Sequence, residues 1–226
     1  LKVLRLEADG SIYAEAGVAS PKVARFAARL GLGSAEFLAG VPGTIGGALA
    51  MNAGCYGDET WNHVERVLMF DRHGERVVRT AADFAVAYRH VGLQLSCDEW
   101  FAAAWLRFPV GDRQTSLERI RSLLERRIAS QPLQLANAGS VFRNPPGDHA
   151  ARLIDEAGLK GLTLGGACVS EKHANFIVNP NNKASASEIE MLIGQVQAAI
   201  REKFGVELQR EVKIVGENIN SGEMAA

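Results

Sequence analysis

The sequence predicts an α+β protein made of two units. Three observations predict it: short apolar runs broken by glycine and aspartate turns dominate residues 1–110, helix-period stripes with capping signals dominate residues 111–216, and proline and glycine coincide at the change, in Pro109-Val110-Gly111-Asp112. The boundaries read this way are 1–110, 111–216 and a polar, frayed tail from Glu217 to Ala226. A chain of 226 residues is long enough for each unit to bury a core.

Leu1 to Leu6 and Ile12 to Ala16 read as two strands joined through Asp9-Gly10, a hairpin dipeptide. Ser20-Pro21 then opens a helix, with serine as the cap, proline in the first helical position, Val23, Phe26, Ala27 and Leu30 as the apolar stripe and Gly31 as the end. Val64 to Phe70 and Glu75 to Arg79 read as a second hairpin around Asp71-Arg72-His73-Gly74, and Trp100 to Phe108 as a further strand. Beyond the junction, Thr115-Ser116-Leu117-Glu118 has the form of a capping box, and Leu117, Ile120, Leu124 and Ile128 form the stripe of a helix that stops before Pro132. A helix over Ala150 to Ala157 ends at Gly158, and Asn175 to Val178 is a short strand. Ser185-Ala186-Ser187-Glu188 caps a long helix reaching Phe204, with Ile189, Leu192, Ile193, Val196 and Ile200 on one face and Gly205 as terminator. Val206 to Val215 reads as the last strand.

Composition narrows the function classes. Lys+Arg number 25 against 26 Asp+Glu, a net charge of -1, so no global field favours nucleic acid or an anionic membrane, and an anionic ligand must be held by local groups. Cys55, Cys97 and Cys168 are odd in number and lack metal-ligand spacing, which argues against a disulfide framework and a zinc site and fits a reducing cytoplasm. No apolar run approaches the roughly 20 residues that span a bilayer, and Leu1-Lys2-Val3-Leu4-Arg5 lacks the features of a signal peptide. The chain starts without methionine, so the natural polypeptide is expected to begin upstream.

Two segments carry candidate chemistry. Gly40-Val41-Pro42-Gly43-Thr44-Ile45-Gly46-Gly47-Ala48-Leu49, followed by Asn52-Ala53-Gly54-Cys55-Tyr56-Gly57, is too glycine-rich for an efficient core element. Its backbone N–H groups and the Thr44 hydroxyl suit phosphate oxygens, although two tight turns flanking a short buried helix explain the pattern as well. The spacing matches neither the Rossmann fingerprint nor a P-loop. In Asn137-Ala138-Gly139-Ser140-Val141-Phe142-Arg143-Asn144-Pro145, a lone hydroxyl stands among hydrogen-bonding groups. This suits proton delivery, because a serine acid needs neighbours that stabilise the alkoxide it leaves; an ordinary surface turn is the alternative.

These two segments, together with Tyr88-Arg89, Gly158-Leu159-Lys160-Gly161, Ser170-Glu171-Lys172-His173-Ala174-Asn175-Phe176 and Leu208-Gln209-Arg210-Glu211-Val212-Lys213-Ile214-Val215-Gly216, resemble the UDP-N-acetylenolpyruvoylglucosamine reductase (MurB) family in both order and content. The compact Asn-Ala-Gly-Ser-Val-Phe form is similar to the shorter of its two structural types. The resemblance implies the second half of a two-part, vanillyl-alcohol-oxidase-like FAD-binding domain followed by a MurB C-terminal α+β substrate-binding domain. It implies a cytoplasmic, monomeric flavoenzyme of peptidoglycan synthesis that uses FAD and NADPH, binds neither nucleic acid nor membrane, and reduces UDP-N-acetylglucosamine-enolpyruvate to UDP-N-acetylmuramate. In that reaction hydride goes to C3 and a proton to C2.

By motif, Ser140 corresponds to the proton donor, and Arg89 and Glu211 to the pair that binds and polarises the substrate carboxylate. Arginine's fork suits a carboxylate, and a protonated glutamate donates to one where an ionised glutamate repels it. On residues alone, Glu211 reads as a solvated strand residue and Arg89 as a surface cation near a helix or turn end. Pro42, Gly43, Thr44, Gly46, Gly47, Asn52, Gly54 and Tyr56 correspond to the flavin site and Tyr88 and Asn144 to the substrate site, while Arg143, Arg127 and Lys172 are candidates for the substrate's phosphates because a nearly neutral chain must supply positive charge locally. On residues alone each of these three cations reads as an exposed charge, and His90 and His173 lack metal-ligand partners at suitable spacing. The family usually has serine where this chain has Val91, and its first FAD half, with a Gly-Ser-Asn loop, is expected before Leu1. Other flavoprotein oxidoreductases with the same FAD-domain architecture, and a noncatalytic nucleotide-sugar-binding module, are the alternatives.

Overall fold

The computed structural model describes residues 1–95 and 98–216; Cys97 and the tail read at 217–226 lie outside the described residues. The chain divides into two compact units, Leu1–Arg127 and a second that begins at Ile128. The first contains β1 (Leu4–Leu6), β2 (Ile12–Glu15), α1 (Ser20–Arg29), α2 (Ile45–Ala50), β3 (Gly54–Cys55), β4 (Asp58–Glu59), β5 (Val64–Asp71), β6 (Arg76–Thr80), β7 (Phe84–Ala87), β8 (His90–Leu93), β9 (Glu99–Leu106) and most of α3 (Arg113–Ser130). A five-stranded sheet in the order β1-β2-β9-β5-β6 is antiparallel throughout. Period-2 alternation sends Ile12, Ala14, Val67, Met69, Ala104 and Leu106 into a core shared with Val23, Ala24 and Ala27 of α1 and Ile45, Ala48 and Leu49 of α2. Tyr13 meets Trp105 edge-on at 5.0 Å, and the Arg66 guanidinium lies over the Trp105 ring at 4.6 Å.

Two helix starts differ from the sequence reading. Ser20 is not the cap of α1: it lies inside the helix with Ala19 as cap, because its N–H donates to the Gly43 carbonyl at 3.1 Å, and its buried hydroxyl has no partner among the described residues. Helix α3 begins at Arg113, where the Asp112 carboxylate accepts both the N–H and the hydroxyl of Thr115 at 2.7 Å, so Thr115 is not a cap. The buried face is correspondingly Ser116, Ile120 and Leu123, with Leu117 and Leu124 partly covered, and Ile128 is 58% exposed. Because Leu117, Ile120 and Leu124 pack into the first core, the units divide within α3 rather than at Pro109–Asp112.

The second unit holds β10 (Ala136–Asn137), α4 (Ala150–Glu156), β11 (Thr163–Leu164), β12 (Ala167–Val169), β13 (Ile177–Asn179) and α5 (Ala186–Phe204). Its strands form an antiparallel sheet in the order β10-β13-β12-β11. Leu192, Ile193, Val196 and Ile200 of α5 join Leu153, Ile154, Phe142 and Leu208 in one core. The expected strand over Val206–Val215 does not form; a single bridge joins Phe142 to Arg210. Its partner segment is short, bounded by the Gly139 turn and by Pro145, which has no N–H to extend a ladder.

Among the described residues no helix is long and apolar enough to cross a membrane, and no cluster of three or more His, Cys, Asp or Glu side chains could hold a metal ion. The start of α5 is a reciprocal capping box: Ser185 Oγ accepts the Glu188 N–H at 3.2 Å and Glu188 Oε2 accepts the Ser185 N–H at 2.8 Å. Ser185→Ala is expected to lower unfolding free energy by about 1 kcal/mol in a urea titration. An unchanged midpoint contradicts a capping contribution.

Candidate functional site

The Ser140 turn is held by hydrogen bonds at both ends. Upstream, Asn137 Oδ1 accepts the Gly139 N–H at 2.9 Å, while its Nδ2 donates to the Leu135 carbonyl at 2.7 Å. Gly139 has φ of 82°, which only glycine adopts freely. Downstream, Val141 and Phe142 are buried, so their peptide groups must be paired. The Val141 N–H donates to the Asn175 carbonyl at 2.9 Å, the Phe142 N–H donates to Asn175 Oδ1 at 3.0 Å, and Asn175 Nδ2 donates back to the Phe142 carbonyl at 2.8 Å. Along the other edge, the Glu211 N–H donates to the Val141 carbonyl at 2.8 Å and the Arg143 N–H to Gln209 at 2.9 Å. Ser140 and Glu211 are thereby brought together through the backbone. The Ser140 hydroxyl is half-buried and makes no hydrogen bond among the described residues, so it is open to a ligand.

Asn175 sits in a loop closed by Ser170, whose Oγ accepts the N–H groups of Lys172 and His173 at 3.2 and 3.3 Å. The Asn175 N–H donates to His173 Nδ1 at 3.3 Å, which requires that nitrogen to be unprotonated. Burial holds the His173 imidazole below its ordinary value of 6.5.

In the first unit a second carboxamide does similar work. Asn52 is 2% exposed; its Nδ2 donates to Glu59 Oε2 at 2.6 Å and to the Ala87 carbonyl at 3.2 Å, and its Oδ1 accepts the Trp61 N–H at 3.1 Å. Ala87 ends β7, and Tyr88-Arg89 is the two-residue turn into β8, with Arg89 at φ of 53°. Arg89 Nη2 donates to the Gly54 carbonyl at 2.7 Å and Nη1 to the Asn52 carbonyl at 3.2 Å. The glycine-rich segment and the arginine turn are therefore one hydrogen-bonded cluster. Tyr56 donates its hydroxyl to Leu123 at 2.7 Å, and Arg127 donates to the Gly40 carbonyl, so α3 braces the same cluster. Cys55 Sγ lies 3.2 Å from the Phe37 carbonyl, and burial pushes its thiol to about 11, which makes it a packing residue rather than a nucleophile.

Residues 131–215 match the family model for the C-terminal domain of UDP-N-acetylenolpyruvoylglucosamine reductase, and residues 2–80 match that for an FAD binding domain. The chain is 57% identical over 206 residues to the UDP-N-acetylenolpyruvoylglucosamine reductase of Thiobacillus denitrificans, covering 91% of this chain and 63% of that protein. It is 53% identical over 218 residues to the protein of that name from Legionella pneumophila (strain Paris), covering 96% and 71%. The chain belongs to the UDP-N-acetylenolpyruvoylglucosamine reductase family. A crystal structure of UDP-N-acetylenolpyruvylglucosamine reductase (MurB) from Thermus caldophilus matches the fold with a TM-score of 0.77 and 35% identity, over 89% of this chain and 72% of that one. The chain thus spans under two thirds of the Thiobacillus reductase and somewhat more of the others.

Within the reductase family framework, the residues expected to contact flavin separate into two groups. Pro42, Gly43, Thr44 and Gly47 are exposed, and a Cβ at Gly43 or Gly47 would meet nothing within 4 Å. Gly43 has φ of 86°, but no contact among the described residues explains glycine at the helical Gly47, which fits a ligand laid against the backbone. Gly46 and Gly54 are instead demanded by packing, since a Cβ there would lie 2.9 Å from the Ala16 Cβ and 2.2 Å from the Asp58 carbonyl oxygen. Asn52 and Tyr56 have side-chain polar groups engaged internally.

The expected substrate residues also divide. Tyr88 is 45% exposed, and Arg143 has a buried Nε without a partner among the described residues. Asn144 Oδ1 accepts the Ala150 N–H at 3.1 Å, Lys172 Nζ donates to the Ile128 carbonyl at 2.6 Å, and Arg127 is engaged at Gly40. Val91, in place of the family's usual serine, packs against the first core. The residue-by-residue reading missed the side-chain roles of Asn137 and Asn175. Its available signal for Asn175 was a carboxamide at the head of the apolar run Phe176-Ile177-Val178, where a buried polar group must be paired.

Asn52→Ala is expected to destabilise the chain by about 2–3 kcal/mol, because the buried Trp61 N–H loses its acceptor. A loss under about 0.5 kcal/mol in chemical denaturation contradicts this bracing role. For His173, an NMR titration should give a midpoint below 6.5. Its neutral form then contributes stability that is complete above the unfolded value and is lost as pH falls through the lowered folded value. A midpoint at or above 6.5 contradicts the Asn175–His173 geometry.

Proposed function

We infer that this chain carries the chemistry of UDP-N-acetylglucosamine-enolpyruvate reduction to UDP-N-acetylmuramate, with FAD and NADPH, in cytoplasmic peptidoglycan precursor synthesis. The observation that carries the reading is the 2.8 Å bond from the Glu211 N–H to the Val141 carbonyl, which sets Glu211 beside the residue that follows Ser140 in a member of this family. FAD, when bound and reduced by NADPH, would supply the hydride needed at C3 of the enolpyruvyl ether. The exposed backbone of Pro42, Gly43, Thr44 and Gly47 suits its diphosphate.

The alkene is unreactive towards hydride unless the charge that develops on the α-carbon and carboxylate is met by donors. Arg89 offers a guanidinium on a turn whose backbone is fixed by Asn52, and Glu211 offers a carboxyl group. Ser140 gives its proton to C2, from a turn fixed at both ends and with its hydroxyl unengaged. The buried, unpartnered Nε of Arg143 supports an acceptor-rich ligand such as a sugar diphosphate, with Asn144 alongside in sequence.

Ser140→Ala separates the two halves of the reaction. Flavin reduction by NADPH should proceed at the parent rate, while substrate-dependent reoxidation should slow by roughly a hundredfold or more. Stopped-flow absorbance in the flavin band measures both. Parent-rate reoxidation in this variant, or a defect confined to the NADPH step, overturns the proton-donor role.

A further inference from the structure

We propose that Asn175 is a positioning residue for Ser140, setting the direction of the serine hydroxyl through the backbone of Val141 and Phe142. Asn175 presents three groups to the two residues that follow Ser140: its carbonyl to the Val141 N–H at 2.9 Å, its Oδ1 to the Phe142 N–H at 3.0 Å and its Nδ2 to the Phe142 carbonyl at 2.8 Å. Asn175 is 4% exposed and Phe142 2%, so water does not compete for these partners. The opposite edge of the same segment is held by Glu211 and Gln209. With both edges paired, the peptide leaving Ser140 is held in one orientation, and the remaining freedom of the hydroxyl is its own side-chain torsion.

Asparagine is the residue type this task needs. Only a carboxamide offers a donor and an acceptor at this length; aspartate keeps the acceptor but sets a charge against the Phe142 carbonyl, and glutamine is one methylene too long. Asn175 is itself fixed from behind, because its N–H donates to His173 Nδ1 and the Ser170 hydroxyl closes the loop. Asn175 is buried and its carboxamide is engaged by Phe142, so it acts on proton delivery through geometry. An acid displaced by a fraction of an ångström from its acceptor loses much of its rate advantage.

The inference rests on Ser140 being the acid, and the test separates the two claims. In the FAD-loaded enzyme, N175D should leave NADPH-dependent flavin reduction within about twofold of the parent and slow substrate-dependent reoxidation by roughly tenfold or more. The solvent deuterium isotope effect on reoxidation should rise, because proton delivery becomes more rate-limiting. Added to Ser140→Ala, N175D should slow reoxidation no further, since the group it positions is gone. Parent-rate reoxidation in a folded N175D protein overturns the proposal, as does equal slowing of both half-reactions or full additivity with Ser140→Ala. Should N175D not accumulate as folded protein, N175S, which keeps a short acceptor and removes the amide donor, carries the same comparisons. If Ser140→Ala alone leaves reoxidation intact, the proton-donor reading fails first and Asn175 has nothing to position.

Discussion

The pairing of the buried peptide groups at Val141 and Phe142 is the constraint on which the second unit's candidate chemistry depends. A segment this short cannot form a sheet, yet its N–H and carbonyl groups lie out of reach of water and must be matched. The solution uses a side chain on one edge and a stretch of non-helical backbone on the other. Because the second edge is residues 209–211, satisfying the backbone also fixes Glu211 next to the Ser140 turn. The same bonds that allow Phe142 to enter the core therefore bring the backbone of Glu211 beside the Ser140 turn in a segment with little regular structure.

The first unit solves a parallel problem with Asn52. Its carboxamide engages Glu59, Ala87 and Trp61, so it ties the second glycine cluster to the end of β7 and hence to the turn that carries Arg89. In both units a buried asparagine, with both ends of its carboxamide engaged, holds the backbone next to an exposed or half-exposed polar group. Rigid support beneath a functional turn lowers the reorganisation needed when charge develops on a ligand.

Much of the frame was legible in the sequence because the signals were local. The Ser185–Glu188 capping box, the α5 stripe, Gly205 at φ of 68° and the β5–β6 hairpin all follow from residues within a few positions of one another. What failed depended on distant partners. Ser20 lost its cap position to a bond with Gly43, and the 206–215 strand lacked a partner long enough to pair with. The same is true of the site. Ser140, Arg89 and Glu211 stood out through family resemblance, whereas the roles of Asn175 and Arg127 required contacts with Phe142 and Gly40, 33 and 87 residues away. Periodicity carries no trace of such bonds. The β7–β8 hairpin around Tyr88-Arg89 was missed for a related reason: its turn contains neither glycine nor asparagine to announce it.

Amide hydrogen exchange followed by NMR reads out whether the Val141–Arg143 backbone is paired on both edges. With both edges paired, the N–H groups of Val141, Phe142, Arg143 and Glu211 should exchange slowly, in the range of the buried interior of α5 around Val196. Exchange at these four positions as fast as at Gly147, in the exposed turn just downstream, would contradict it.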